Sequence, residues 1–168
     1  MHRMNVLGVR VHVPLGEVVL RLVTEDAQVR LPVTIGPREG AAIASVLAGI
    51  VPPRPLTHDL VLDLLRASGG SVARVEIVGL RGGVFFAEIV LAGGARVDAR
   101  TSDAVAIALR AQVPVLVDPE ILERAGEPHE DAQGQDVGRT VSSGESQLAQ
   151  FRAFLESVEP EDFDDADS

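Results

Sequence analysis

The chain twice passes through three short segments patterned like strands and then enters an alanine-rich segment patterned like a helix. The first round covers residues 5–48 and the second covers residues 72–111. In the first segment, apolar Val9 and Val11 alternate with polar Arg10 and His12, which is the two-residue period of a half-buried strand. Runs of strands followed by helices predict an α+β fold, with a mixed or antiparallel sheet and Ala-rich helices packed on it.

Turn residues and hydrophobic periodicity set the predicted element boundaries. The predicted strands are 5–13, 17–23, 28–35, 72–80, 84–91, 95–99 and 114–117, and the predicted helices are 36–48, 57 to about 69, 104–111 and 119–125. Thr57 is predicted to cap the second helix, and Thr101 or Ser102 the third. The first helix has almost no polar face, so we expect it to be buried. The inward stripe predicted for the second helix is Leu60, Leu64 and Leu65.

The two rounds are compatible with an internal duplication. A shift of 64 residues places Arg10-Val11 on Arg74-Val75 and the alanine-rich helices on each other. The same shift places Glu39 on Asp103. If a βββα unit is duplicated, these two acids are equivalent first-turn carboxylates.

Charge divides the chain into a neutral body and an acidic end. Residues 1–125 hold 13 Arg and 13 acids, whereas residues 126–168 hold 2 Arg and 12 acids. We predict a domain over 1–125, a flexible linker over 126–142, a C-terminal amphipathic helix over 143–158 and a disordered acidic tail over 159–168. The apolar stripe of that helix is Leu148, Phe151, Leu155 and Val158. Such a stripe favours a groove on the body or a protein partner.

Composition also excludes several classes of protein. The absence of cysteine excludes disulfides, thiol nucleophiles and thiolate metal sites. We find no membrane-length apolar run, no signal peptide and no dinucleotide or Walker fingerprint. A cytoplasmic protein without membrane contact or organic cofactor is therefore expected. All body cations are Arg, and a neutral body lacks the basic footprint of a strong nucleic-acid binder.

An imidazole and two carboxylates meet at the predicted start of the second helix. His58 and Asp59 lie in its first turn, and Asp63 follows four residues later on the same face as Asp59. Such a set could bind Mg²⁺ or Mn²⁺, or let His58 act as a general base on a phosphodiester. The alternative is structural: Asp59 complements the helix dipole, Asp63 pairs with Arg66, and His58 makes an ordinary hydrogen bond.

Further candidates gain weight only if they converge on His58 in space. Glu39 and Asp103 each begin a helix, where acids are also favoured for stability alone by about 0.3–1 kcal/mol. Arg54 and Arg100 could clamp a phosphate, or form salt bridges and helix caps. In Phe85-Phe86 one ring should face the core, and the other could stack a base if it is exposed.

Three motifs in order resemble the bifunctional nuclease domain family over about residues 4–125, and more weakly over 151–163. They are Pro52-Pro53-Arg54-Pro55-Leu56-Thr57-His58-Asp59-Leu60, Gly83-Val84-Phe85-Phe86-Ala87-Glu88-Ile89 and Arg100-Thr101-Ser102-Asp103-Ala104-Val105-Ala106-Ile107-Ala108. The resemblance implies a compact α+β domain that often dimerises, with cleavage of RNA and DNA in some members. Its motif positions include Gly36, Glu39, Arg54, Phe85, Ser102 and Asp103.

This chain departs from the family pattern at three places. It lacks the tryptophan common before Ile35-Gly36, it has Gly40 where relatives usually have alanine, and Thr101 replaces a proline before Ser102-Asp103. The missing indole removes a group that could stack or pack. The changes leave His58, Asp59 and Asp103 in place.

The expected function is a homodimeric nuclease acting on RNA or DNA phosphodiesters, with a divalent metal. The predicted catalytic residues are His58, Asp59 and Asp103, the predicted metal ligands are Asp59, Asp63 and Glu39, and the predicted substrate-binding residues are Arg54, Arg100 and Ser102. A single-stranded nucleic acid is the expected substrate. The alternative is a non-enzymatic dimeric binding or regulatory module, in which the same residues only begin helices.

Overall fold

The computed structural model describes residues 1–12 and 16–129, and these residues form an α+β fold, as predicted. Within them the strands are β1 (His2–His12), β2 (Glu17–Thr24), β3 (Val29–Ile35), β4 (Val72–Arg81), β5 (Val84–Leu91), β6 (Arg96–Arg100), β7 (Val115–Val117) and β8 (Glu127–Pro128). The helices are α1 (Pro37–Leu47), α2 (Thr57–Ala67), α3 (Thr101–Ala111) and α4 (Pro119–Ala125).

The strands form one mixed sheet in the order β6-β5-β4-β7-β1-β2-β3-β8. Strands β1 to β3 and β4 to β6 are two antiparallel meanders, because short turns join each strand to its neighbour. Strand β7 lies between the meanders, antiparallel to β1 and parallel to β4. Each meander is followed by a helix, α1 or α3. The predicted duplication of a βββα unit stays a prediction.

Helix α3 is the buried centre of the helical layer. Its residues from Thr101 to Ala108 are buried except Asp103, and α1, α2 and strands β4 and β5 all contact it. Its alanines allow this close approach on every side. The prediction that α1 would be buried is wrong, because α1 buries only Gly40 and Ile43 and leaves its other residues partly or fully exposed.

The inward stripe predicted for α2 is also wrong. Leu62 is only 4% exposed, whereas Leu60 is 51% and Leu64 is 63% exposed, and Leu65 is half-buried. A helix rich in leucine offers more than one apolar stripe, so periodicity alone does not choose between them. Two contacts from the first turn of α2 to α3, His58 with Asp103 and Asp59 with Arg110, turn Leu62 inward.

Two helix starts differ from the prediction. Leu56 and Arg100 occupy the N-cap positions, so Thr57 and Thr101 are the first residues inside their helices. The Leu56 backbone N–H donates to Asp59 Oδ2 at 3.0 Å. A side chain in the first turn of α2 thus satisfies the N–H of the N-cap residue. The Thr101 hydroxyl instead donates to the Phe85 carbonyl at 3.1 Å and ties α3 to β5.

The first and last strands of the described residues also differ from the prediction. Strand β1 begins at His2 instead of residue 5, and the two-residue strand β8 pairs with β3 within the predicted linker. A pairing this short has no periodicity to detect. The predicted C-terminal helix and acidic tail lie outside the described residues. No helix in residues 1–12 and 16–129 is long and apolar enough to cross a membrane.

A buried carboxylate ties three strands together on one face of the sheet. Glu76 on β4 accepts a hydrogen bond from Arg74 Nε at 2.6 Å and another from Arg96 on β6. Arg96 also bonds Glu88 on β5, the strand between them. Burial raises the pKa of the Glu76 carboxyl, but the hydrogen bonds from both arginines outweigh burial and leave it below its ordinary value.

Candidate functional site

His58 and Asp103 form a hydrogen-bonded pair between the first turns of two helices. His58 Nε2 lies 3.2 Å from Asp103 Oδ1, and both side chains are largely buried. The residues are 45 positions apart in sequence, so the pair exists only because α2 packs on α3. In the tautomer whose Nε2 proton is donated to Asp103, Nδ1 is the nitrogen that can accept a proton.

Arg100 joins this pair to Glu39. Its Nε lies 2.7 Å from Asp103 Oδ2, and its Nη2 lies 3.2 Å from Asp103 Oδ1 and 3.0 Å from Glu39 Oε1. Within the described residues, Nη1 makes no hydrogen bond, and the Arg100 side chain is 68% exposed. Two carboxylates therefore orient the guanidinium and leave two of its donors available.

The position of the Glu39 carboxylate depends on the glycine that precedes its helix. Glu39 is the third residue of α1 and Asp103 is the third residue of α3, and both carboxylates bind Arg100. The Glu39 carboxylate occupies the space that a Cβ atom on Gly36 would need. Because Gly36 has no side chain, Glu39 can fold back over the helix start.

These contacts shift two titrations. Burial raises the pKa of Asp103, but hydrogen bonds from Arg100 and His58 outweigh it and hold the pKa below its ordinary value. The hydrogen bond to Asp103 and the nearby charge of Glu39 raise the pKa of Arg100 further above neutrality. Asp103 is therefore an anion at neutral pH.

Asp59 is held in a separate set of contacts. Its Oδ1 lies 2.8 Å from Arg110 Nε, and its Oδ2 accepts the Leu56 N–H. Arg110 is only 6% exposed at its side chain and also donates to the carbonyls of Ala106 and Ala42. The two residues connect α1, α2 and α3. No hydrogen bond or ion pair within the described residues joins Asp59 to His58, Asp103 or Glu39.

His58, Asp103, Arg100 and Glu39 form one connected cluster, and the remaining predicted site residues lie apart from this cluster or beside it. Asp63 pairs with Arg66 at 2.6 Å on the exposed side of α2, as the structural alternative predicted. Arg54 lies exposed between α1 and α2 and contacts no charged partner in the described part of the chain. Ser102 is buried at the start of α3 and lines the groove described next.

A groove of about 500 Å³ opens beside the cluster. Strands β3 and β6 are nearly at opposite ends of the strand order, yet both line the groove, so the sheet curves to bring them together. Its lining residues are Val33–Gly36, Glu39, Gly83–Phe86 and Asp98–Ser102. Arg100 and Glu39 therefore belong to both the groove and the cluster.

The acids and the imidazole do not fit a divalent cation as they lie. Among residues 1–12 and 16–129, no group of three or more His, Asp and Glu side chains is arranged to hold a metal ion. Both oxygens of Asp103 accept hydrogen bonds from Arg100, and its Oδ1 also contacts His58. The Arg100 guanidinium therefore occupies the Asp103 oxygens through which a metal ion would have to bind.

Sequence reasoning missed three residues that build this region. Arg110 orients α2, Asp98 lines the groove, and Arg81 lies over the Phe86 ring at 5.3 Å from its centroid. A lone arginine in the last turn of an Ala-rich helix was a signal for Arg110. Neither Asp98 nor Arg81 had a comparable signal, since each depends on pairing between strands.

The fold and the cluster define an α+β protein with a His–Asp pair and an oriented arginine at the edge of a surface groove. The chain belongs to the bifunctional nuclease domain family, whose model matches residues 18–130. This confirms the family resemblance inferred from the three motifs.

Two similar proteins come from Mycobacterium tuberculosis. The chain is 42% identical over 163 residues to an uncharacterized protein of strain CDC 1551 and equally to an uncharacterized protein of strain H37Rv. Each alignment covers 97% of this chain and 98% of the relative. The similarity therefore extends beyond the part matched by the family model.

Proposed function

We propose that this protein is a nuclease that hydrolyses RNA or DNA phosphodiester bonds with His58 as its general base. The observation that carries the proposal is the 3.2 Å contact between His58 Nε2 and Asp103 Oδ1, next to the exposed guanidinium of Arg100. Membership of the bifunctional nuclease domain family supports the same class of reaction.

Each group has a distinct part in the proposed reaction. His58 Nδ1 removes a proton from the attacking oxygen, which is the 2′-hydroxyl of RNA or a water molecule on DNA. Asp103 keeps the imidazole oriented and stabilises the imidazolium that forms. Arg100 Nη1 donates to a phosphate oxygen as charge builds in the transition state. The leaving oxygen takes its proton from the imidazolium or from water.

The charge of the cluster predicts weak substrate binding. Glu39 and Asp103 carry two negative charges against one on Arg100 while His58 is neutral. The body as a whole is also close to neutral. Affinity for long nucleic acids depends mainly on many phosphate contacts, so turnover should require high substrate concentrations.

Cleavage of labelled single-stranded RNA and DNA by the purified chain tests this proposal. We expect His58→Ala to lower the rate by about 10²–10⁴-fold, which is the usual contribution of a general base. Asp103→Asn should lower it by at least about tenfold because the imidazole loses its orienting anion. The matched control is His12→Ala, which removes an exposed histidine outside the cluster. Equal rates for His12→Ala and His58→Ala would overturn the assignment.

The predicted Mg²⁺ or Mn²⁺ dependence is tested in the same assay. Rates are compared in each cation and in EDTA, for the parent and for Asp103→Asn. RNA with 2′-O-methyl groups adds a second comparison. Its resistance would identify the 2′-hydroxyl as the nucleophile, whereas its cleavage would identify water.

A homodimeric binding module is the second candidate, and the exposed apolar face of α2 favours it. Leu60 and Leu64 lie one turn apart on this face, beside exposed Leu56 and Val61. Contiguous exposed apolar surface of this kind is typical of interfaces. Sedimentation velocity of the parent and of Leu60→Glu/Leu64→Glu measures the association. A dimer that dissociates in the variant, together with no cleavage by the parent, would favour this candidate.

A further inference from the structure

Phe86 and Arg100 are direct neighbours across strands β5 and β6. Their Cα atoms are paired in the antiparallel register, so both side chains stand on the same face of the sheet. Both residues line the groove. The two side chains thus leave the sheet side by side, at the spacing of paired residues, about 5 Å between Cβ atoms.

Phe85 and Phe86 both line the groove, and Phe86 has the more exposed ring. Phe86 is 37% exposed, whereas Phe85 packs against the hydrophobic core. Arg81 lies over the Phe86 ring at 5.3 Å from its centroid, and this cation–π contact restrains the ring. Val84 is also exposed and extends the apolar wall of the groove. Because Arg81 covers one face of the ring, a base would stack on the opposite face.

Asp98 adds an acceptor to the same groove. It is exposed and lines the groove, and its side chain makes no hydrogen bond or ion pair with another residue of the described chain. A carboxylate accepts hydrogen bonds from the amino and imino groups on the edge of a base. With Glu39 also present, the groove walls carry more negative than positive charge, so they suit a base better than a second phosphate.

We propose that this groove is a binding subsite for one unpaired nucleobase, which stacks on Phe86 while Arg100 holds the adjoining phosphate. This subsite rests on the proposed nuclease function and specifies that the substrate is single-stranded. Base pairing would hide the edge that Asp98 recognises, and base stacking in a duplex would hide the face that Phe86 recognises. The subsite therefore selects single-stranded nucleic acid over duplex.

Binding of short oligonucleotides to the full chain tests the subsite. All proteins carry His58→Ala so that the probes stay intact, and fluorescence anisotropy follows fluorescein-labelled single-stranded RNA and DNA of about eight nucleotides. We expect Phe86→Leu to raise the Kd at least about fivefold, the equivalent of about 1 kcal/mol for a lost base stack. Phe86→Tyr should retain binding because it keeps the aromatic face. Val97→Ala, on the same strand as Arg100 but outside the groove, is the matched control.

Two further probes separate base stacking from phosphate binding. An abasic oligonucleotide of the same length should bind the protein that retains Phe86 about as weakly as a normal oligonucleotide binds Phe86→Leu. Combining the abasic oligonucleotide with Phe86→Leu should cause no further loss of affinity. The logarithm of the association constant should fall with the logarithm of salt concentration with a slope near 0.7, as for about one phosphate contact on a single strand. A slope of several units would point to general phosphate binding and overturn the subsite.

The outcomes distinguish this inference from the function on which it rests. Phe86-dependent binding without cleavage by the unmodified chain would support the subsite and overturn the nuclease. Cleavage with Phe86→Leu binding within twofold of the parent would overturn the subsite alone. Absence of oligonucleotide binding, or equal affinity for duplex and single strand, would also overturn the subsite.

Discussion

His58 and Asp59 are adjacent in sequence but contact opposite ends of the same helix. His58 contacts Asp103 in the first turn of α3, and Asp59 contacts Arg110 in its last turn, roughly 10 Å further along the helix axis. The sequence alone predicted that the two residues belong to one site, because they are neighbours in the chain. The structure separates a residue available for chemistry from one that orients α2.

Replacing Asp59 should therefore affect stability first. Asp59→Asn leaves an oxygen for the Leu56 N–H but leaves the buried Arg110 guanidinium without its anion, so we expect the free energy of unfolding to fall by about 1–3 kcal/mol. Urea denaturation followed by circular dichroism measures this loss. The control is Asp63→Asn, which breaks an exposed pair and should cost at most about 0.5 kcal/mol. Equal losses for both variants would contradict this role of Arg110.

At the scale of elements, the sequence predicted where helices and strands lie better than which faces they bury. Glycine and proline turns and the two-residue period located seven of the eight strands in the described chain. The buried faces of α1 and α2 were wrong because they depend on long-range contacts with α3. Gly40 shows such a long-range contact. It stands where relatives usually have alanine, and here α1 approaches β2 so closely that an added Cβ would lie 2.7 Å from Val18 Cγ1.

Gly40→Ala should destabilise the protein although alanine favours helix formation. The gain in helix propensity is about 1 kcal/mol, whereas overpacking against the stiff, buried Val18 costs about 1–3 kcal/mol. We expect a net loss in thermal and urea unfolding. The control introduces Gly40→Ala into a Val18→Ala background, which removes the closest contact and leaves Val9 Cγ1 at 3.3 Å, so the loss should be smaller there. A loss of the same size in both backgrounds would exclude a steric origin.

At the scale of the whole molecule, the candidate site arises from the packing of both halves of the sheet and their helices. Glu39, Arg100, Asp103 and His58 were each predicted as candidates from local patterns. Their convergence was not predictable, because it requires α1 and α2 to pack on α3 and the sheet to curve. The insertion of β7 between the two meanders likewise depends on pairing between residues more than 100 positions apart, such as His2 and Val117.

The strands are also coupled through a titratable group, so stability should depend on pH. The pKa of Glu76 is lowered in the folded state, so its stabilising contribution is present above the ordinary glutamate value of about 4.3 and is lost as pH falls through the lower folded value. Glu76→Gln should lower the free energy of unfolding by about 1–2 kcal/mol at pH 7, with water offsetting part of the loss at the half-exposed arginines. The difference between parent and variant should shrink below about pH 4.3. A constant difference across this range would exclude ionisation as its cause.

The exposed ring of Phe86 has a spectroscopic consequence. The chain contains five phenylalanines and neither tryptophan nor tyrosine, so it has almost no absorbance or emission in the near ultraviolet. Phe86→Trp would place a single indole fluorophore in the groove against a dark background. Its emission maximum and quenching would then report directly on whatever enters the groove, without a label on the ligand or any need for turnover.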